Sequence, residues 1–485
     1  MARPSAQHPP TCPITNKPPS NMTCSTALPY HNNPEVYFNQ LKHLPDFSWL
    51  DSGRPASTQG RYDIFTACAI SHAMIDHTHH FSCTDSHTST LKAWLAKYSA
   101  NNAAAPRDLP FTGGVLGYLG YHWQDEHFQL AQQVYSSDTP HAQLAAYDWA
   151  LIVDHKKQQC QVFFLPDSQV AHQVMPLLHT LPLVPIAPVT TLQAQAAREP
   201  FKCEPFIAAT TEQEYLKALA RIHDYILAGD CYQVNFSQRF SARYNGSLDT
   251  AYLTLRQATP SPFSAYLKHV SNPILSLSPE RFLQINDRQV LTQPIKGSAP
   301  RGATPAHDEQ LAKALQNSDK NRAENIMIVD LLRNDLSQGC QPFSVKVPSL
   351  CELHSFANVH HLISTVVGTL KEDTDAIALF AQCFPGGSIT GAPKKRAMHI
   401  IAELEKHSRG IYCGSIAYFS NNGNADSSIT IRTLQANNNQ LHCWGGGGVV
   451  LDSVAQEEYQ ESLFKVHKLM RALAPLATAS KTITT

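Results

Sequence analysis

The chain has 485 residues, a formal net charge of -1 and a pI of about 7.1, with 16% charged, 43% hydrophobic and 9% aromatic residues. That length suffices for one large or two to three ordinary domains with a sizeable core, and the near-neutral charge argues against a nucleic-acid binder or a basic membrane-surface protein. No apolar run reaches the roughly eighteen residues of a spanning helix, and 12 cysteines without a CxxC pair suggest neither a zinc ribbon nor a disulfide framework.

A cytoplasmic, reducing location fits this cysteine usage, and the N-terminus lacks the apolar core of a signal peptide. Residues 1–33 are rich in Pro, Ser, Thr and Asn without periodicity, so a disordered tail is expected, with Met22 as an alternative start. Residues 34–182 mix strands and helices, with strands predicted at 61–67, 150–154 and 161–165. Gly113, Gly114 and Gly117 permit a bend or a close backbone approach. His72, His77, His79 and His80 crowd one segment, but their spacing matches no metal-ligand pattern and a polar surface loop is expected. Residues 183–205, rich in Pro and Ala, read as a linker.

The region 206–475 opens with a capping box, Thr211 with Glu214, followed by Tyr215, Leu219, Ile222 and Ile226 at helical spacing and Gly229 placed to close the helix. Strands are predicted at 233–240, 264–267 and 274–277. A strand or hairpin over 282–291 then leads to Pro294 and Gly297, which place Lys296 where a strand stops and a tight turn begins. A helix over 318–332 carries Glu324 and Asp330. Strands follow around 411–419, 428–435 and 440–444, with Asn421-Asn422-Gly423 as a hairpin turn. A helix over 456–473 and a tail over 476–485 complete the chain.

Several of these elements can carry chemistry. A lysine with a reference pKa of about 10.4 becomes a nucleophile near pH 7 only after a drop of about two to three units, about 3–4 kcal/mol of differential stabilisation. By itself Lys296 reads as one more solvated surface charge. Glu458 and Glu461 share a helix face with Lys465 one turn on. They form either a solvated face paired with Lys465 and Lys468 or, with Glu324, the oxygen ligands of a cation such as magnesium, which takes few protein carboxylates. The run Trp444-Gly445-Gly446-Gly447-Gly448 is either an anion cradle of bare N–H groups or a plain turn, and Arg432 on a preceding strand can clamp a carboxylate. The glycine-rich stretch 384–394 precedes a helix start near Lys394, which also favours an anion, although the P-loop ending is missing. Together these imply a pocket for a small dianionic substrate with a magnesium ion at one carboxylate.

The motifs Ser278-Pro279-Glu280-Arg281-Phe282, Asn321-Arg322-Ala323-Glu324-Asn325, Asp330-Leu331-Leu332-Arg333-Asn334-Asp335, Val359-His360-His361-Leu362, Ser388-Ile389-Thr390-Gly391-Ala392-Pro393-Lys394 and Glu458-Tyr459-Gln460-Glu461 resemble those of the chorismate-using enzymes. That family includes anthranilate synthase component I, aminodeoxychorismate synthase component I, and the isochorismate and salicylate synthases. The resemblance is dense over 210–473 and looser over 35–182, where Pro110-Phe111-Thr112-Gly113-Gly114 and Tyr118 carry it. It implies an α+β fold of two facing, mainly antiparallel sheets wrapped by helices. It also implies magnesium on Glu324 and Glu461 with Glu458 close by, Glu280 as general acid, and substrate held by His361, Thr390, Tyr412, Arg432, Gly446, Gly447 and Gly448.

Lys296 is similar to the lysine of the aminodeoxychorismate-forming branch, where anthranilate synthases carry alanine. The resemblance implies attack of this amine on ring C2 of chorismate with loss of the C4 hydroxyl, then entry of ammonia at C4, giving 4-amino-4-deoxychorismate for p-aminobenzoate and folate. The enzyme would be a transferase of the transaminase class. Arg432 and magnesium would lower the lysine pKa and the carboxylates raise it. Gln233 stands where the water-using members have a lysine base, and Ser298 where threonine is usual. The nearest approach to a glutaminase nucleophile turn, Gly229-Asp230-Cys231-Tyr232-Gln233, lacks its second glycine, so the resemblance implies a glutamine amidotransferase subunit as partner. Trp49-Leu50-Asp51-Ser52 falls where anthranilate synthases place part of their tryptophan-feedback pocket. The rival readings are an anthranilate synthase and a non-catalytic chorismate-binding subunit.

Overall fold

The strand Trp149–Asp154 shows how the sequence distributes its apolar residues. Trp149, Leu151 and Val153 join one core while Ala150 and Ile152 join another, because successive side chains leave opposite faces of a strand and both faces here are covered. The computed structural model describes residues 25–57, 59–85, 88–99, 105–130, 139–182, 199–356 and 359–474. They form an α+β fold of two facing antiparallel sheets, one of 13 strands and one of 11, wrapped by helices. One core carries the apolar faces of helices Glu212–Leu227, Ala376–Cys383 and Lys394–Leu404. The other lies under helices Glu35–Leu41, Ala171–His179, Leu248–Ala258 and Ala455–Leu473.

Local signals behave as their chemistry requires. Thr211 and Glu214 form the reciprocal capping box at the start of Glu212–Leu227. Arg281–Asn286 and Gln289–Thr292 form a hairpin whose two turn residues, Asp287 and Arg288, both have positive φ. Gly114 and Gly117 are needed for close approach, since a Cβ would lie 2.3 Å from the Phe419 and Gln143 carbonyl oxygens respectively.

The feature that positions the site is a corner between the sheets. Strand Ile274–Ser278 pairs with Thr433–Asn437 in the larger sheet, whereas the adjoining strands Arg281–Asn286 and Ala425–Ile429 pair with each other in the smaller one. Two neighbouring segments, 279–280 and 430–432, therefore cross together from sheet to sheet, as corners of packed sheets require. Backbone bonds lock them: Ile429 N–H donates to the Glu280 carbonyl at 3.1 Å and Leu277 N–H to the Arg432 carbonyl at 3.0 Å. Arg432 turns the corner at φ 51°.

Several sequence expectations are corrected here. The predicted strand over 428–435 is two strands in different sheets, because the turn at Arg432 separates them. Within the expected tail, Ser25–Leu28 is a strand paired with Gln159–Phe164. Within the expected linker, Phe201–Cys203 is a strand paired with the end of Gln233–Gly246. Residues 1–24, 183–198 and 475–485 lie outside the described residues. His72 belongs to strand Ser71–Ile75, its Nε2 2.9 Å from Asp46 Oδ1, and is not in a loop; among the described residues no histidine, cysteine or carboxylate group gathers as a metal cage. No helix among them is long and apolar enough to cross a membrane.

Candidate active site

Lys296 lies inside strand Ile295–Pro300, not in a turn after it. That strand pairs with Val359–Thr369, but the register slips between Ile295 and Ser298, and Gly297 adopts φ 85°. The resulting bulge re-aims Lys296, as bulges beside active sites do. Gly297 also lets the bulge lie against Asn321, which a Cβ would approach at 3.1 Å.

The glycine run is neither a loop nor a turn. Gly446, Gly447 and Gly448 belong to strand Gln440–Val449, opposite Ser237, Phe236 and Asn235. Its bareness has a steric reason. A Cβ on Gly447 would stand 3.0 Å from Glu458 Oε2 and 3.3 Å from Glu461 Oε1; one on Gly448 would stand 3.0 Å from Gln233 Nε2 and 3.2 Å from Lys296 Nζ. The strand is stripped of side chains so that two carboxylates, an amide and an amine can converge over it. Gln233 is fully buried and neither amide atom has a hydrogen-bond partner within the chain.

Around this floor stand the charged groups. Glu280, at the corner, is 5% exposed, and burial pushes its pKa up to about 7 against the hydrogen bond from Ser388 and the charge of Lys296. The Lys296 amine makes no hydrogen bond among the described residues. Burial first, then Lys465, holds its pKa below the ordinary value against the pull of Glu324, Glu280 and Glu461. The cation acting on it is thus Lys465, with Arg432 absent from that balance. The Glu324 carboxyl, on helix Asp319–Gly339, is raised by burial and forms no hydrogen bond or ion pair among the described residues. Glu458 accepts from Ser453 Oγ at 2.6 Å and is raised by burial. Glu461 is held below its ordinary value: burial raises it, but Lys465, 2.5 Å away, outweighs that.

The opposite wall is cationic. The Arg432 guanidinium, partly buried and lowered by burial, has no hydrogen-bond or ion-pair partner among the described residues, and its charge falls on Lys468 and His361. His361 is pushed down to about 4, by burial first and then Arg432, so it is neutral near pH 7; its Nδ1 lies 2.7 Å from Ser298 Oγ. Tyr412 is buried and stacked on Trp444 at 6.0 Å and 7°. Thr390 is fully buried and its hydroxyl donates to the Gly386 carbonyl at 3.0 Å. A half-buried guanidinium with no partner among the described residues is free to pair with an anion such as a carboxylate.

Some residues quoted from the sequence stand elsewhere. Asp330 pairs with Arg333 on the exposed side of its helix. Lys394 is committed to Asp335 and the Cys383 carbonyl, both at 2.8 Å, and ties two helices together. Leu50 and Asp51 line a separate cavity of about 390 Å³ between the sheets, with Tyr62, Phe263, Ile295 and Phe356. Ile295 and Lys296 face it and the catalytic floor respectively, on opposite sides of one strand. Sequence reasoning missed Lys465 as a cation of the site. Its four-residue spacing from Glu461 gave a surface pair, which it is, both side chains being about half exposed; spacing does not show that the pair borders Lys296. It also missed the Ser388 hydroxyl on Glu280.

The family described as chorismate binding enzyme matches residues 47–471. Aminodeoxychorismate synthase component 1 of Salmonella typhimurium strain LT2 is 40% identical over 449 residues, covering 90% of this chain and 95% of that protein. The Escherichia coli K12 protein of the same name is 39% identical over 456 residues, covering 90% and 96%. Among solved structures, anthranilate synthase component I from Streptococcus pneumoniae TIGR4 superposes with a TM-score of 0.72 at 27% identity, covering 86% of this chain and 93% of that one. A match of this extent means that the chain belongs to the chorismate-binding enzyme family.

Proposed function

We propose that this protein aminates chorismate at C4, a reading supported by bacterial relatives named aminodeoxychorismate synthase component 1, and that it is a transferase of the transaminase class. The observation that carries this reading is Lys296: an amine held beside Gln233 over bare backbone, its pKa lowered, within the field of an acid raised to about 7. In the first step Nζ bonds to ring C2, the two ring double bonds shift, and the C4–O bond breaks as Glu280 passes its proton to the departing hydroxyl, which leaves as water. In the second, ammonia bonds to C4, the double bonds shift back, and the C2–Nζ bond breaks, so that the lysine is restored. Gln233 supports ammonia over water as the incoming nucleophile, because an amide is no base.

The carboxylates Glu324, Glu458 and Glu461 are not drawn together into a closed cage, but their donor chemistry suits magnesium, which takes few protein oxygens: they are hard, mutually repelling, and Glu324 lacks a partner among the described residues. They would hold the ion, and when bound it supplies charge neutralisation for a substrate carboxylate. Arg432, with Lys468 behind it, would take the other carboxylate. The relatives are named as component 1, which supports a second subunit, and we propose a glutamine amidotransferase as the source of ammonia.

The test is product analysis after incubation with chorismate, magnesium and ammonium, with and without an added amidotransferase. The expected product is 4-amino-4-deoxychorismate without a lyase. Fluorescent anthranilate instead would assign the rival activity, and absence of turnover would leave a binding subunit.

A further inference from the structure

Ser388 sits in the short turn Gly387–Ile389 and is held from both sides. Before it, Gly387 packs so closely on Leu331 of the Glu324 helix that a Cβ would lie 2.5 Å from Leu331 Cδ2. After it, the Ile389 carbonyl accepts from Arg409 Nη1 at 2.9 Å, and that fully buried guanidinium is itself fixed by Glu405 and the Asn235 carbonyl. The two hydroxyls of the turn are used differently. Thr390 donates to the turn's own backbone, as structural hydroxyls do. Ser388 donates instead to Glu280 Oε1, 2.9 Å away on a different element.

We propose that Ser388 is the positioning residue of the acid: its hydroxyl, donating to Oε1, fixes the rotation of the Glu280 carboxyl and leaves Oε2 as the oxygen that delivers the proton to the leaving hydroxyl. A carboxyl torsion is broad and two-fold, so a buried glutamic acid without such a donor divides its proton between two directions. The hydroxyl sits on a rigid turn and Glu280 on a sheet corner, so the bond sets a direction and is not merely available. The other side chains facing Glu280 do not supply this. Lys296 and Lys465 act through charge, and Cys413 is a thiol raised to about 12 by burial. The backbone bond with Ile295 comes from the same strand as Lys296.

The inference rests on the proposed amination for its kinetic consequence and on geometry alone for its electrostatic one, and two measurements separate them. The first compares wild type, Ser388→Ala, Ser388→Thr and Ser388→Cys with chorismate, magnesium and ammonium across pH 6 to 9. Ser388→Ala should lower kcat about tenfold near neutrality, with KM for chorismate nearly unchanged. Loss of a donor to the carboxylate raises the pKa, so the ratio of variant to wild-type rate should rise as pH passes about 7. Ser388→Thr should restore both rate and profile, and Ser388→Cys, a weaker donor, should fall between. The second measurement needs no turnover. The infrared C=O band of protonated Glu280, assigned by its loss in Glu280→Gln, should titrate at higher pH in Ser388→Ala and at the wild-type pH in Ser388→Thr. An unmoved band, or a rate ratio flat in pH and not restored by threonine, overturns the proposal. A moved band in a protein that does not aminate chorismate would overturn only the proposed activity.

Discussion

Two buried groups of charges in this protein are built to opposite rules. Below Trp49, the Asp51 carboxylate accepts from Arg256 Nε at 2.7 Å and Nη2 at 3.2 Å, from Tyr252 at 2.8 Å and from Gly53 N–H at 2.7 Å. Beside it, Asp63 accepts from the Trp49 indole at 2.8 Å, from Ser52 N–H and Oγ, and faces His155 Nε2 at 2.5 Å. Every charge there has its partner inside the chain. At the sheet corner the side chains of Lys296, Glu324 and Arg432 have no hydrogen-bond partner among the described residues, and the buried Glu280 carboxyl accepts from a single side chain, Ser388. Asp51, Asp63 and Arg256 are sealed from solvent whereas Lys296, Glu324 and Arg432 are only half-buried, so depth of burial by itself does not mark function. The unsatisfied remainder does, because a protein keeps uncompensated charge where a ligand will complete it.

That contrast can be broken most directly at Lys296. Lys296→Met should abolish C4 amination, by roughly 10³-fold or more in kcat, yet raise Tm. The sign follows from its lowered pKa. Below the folded-state pKa the buried ammonium costs stability, and that cost fades as pH rises toward the unfolded value of about 10.5. The stabilisation of the variant should therefore be largest near neutrality and shrink in alkali; a lower Tm at pH 7 would put Lys296 with the satisfied cluster.

The complementary change is Arg256→Met, which leaves Asp51 buried without its guanidinium. It should lower stability by about 3–5 kcal/mol in chemical denaturation, with KM for chorismate close to wild type at temperatures where the variant is folded. A stable variant with a raised KM would mean that the two clusters are coupled.

A smaller effect sharpens the comparison through pH. Glu280 has its folded-state pKa raised from 4.5 to about 7, so the folded state binds more protons between those values and stability falls as pH rises through that window. Glu280→Gln removes the term. Its stability relative to wild type should improve between pH 4.5 and 7 by on the order of 3 kcal/mol at most, read from urea midpoints at several pH values. A pH-independent difference would mean that Glu280 is ionised throughout.

The ordered motifs made the family, the fold class and the group of converging residues legible before any coordinate. What the residues could not show was direction. The run of glycines reads equally as a turn or a cradle until Glu458, Gln233 and Lys296 are seen above it. Glu461 with Lys465 reads as a surface pair and is one, about half exposed on both sides; helical spacing does not show that the pair stands at the rim of the site. The sequence over 428–435 is continuous in β propensity, and only pairing with two different sheets breaks it at Arg432.

By itself, then, the sequence determined composition-level facts and local ones: a globular chain without a spanning helix among its described residues, the capping box at Thr211, the hairpins, and the motif set that marks the family. The tertiary structure decided which charges are left unpaired, which is why Lys296 reads as a solvated amine in the chain and as a depressed nucleophile in the fold. A pKa depends on burial and on charges a few ångströms away, and those neighbours, Glu280, Glu324, Glu461 and Lys465, come from three segments distant in sequence: the corner at 279–280 and the helices Asp319–Gly339 and Ala455–Leu473.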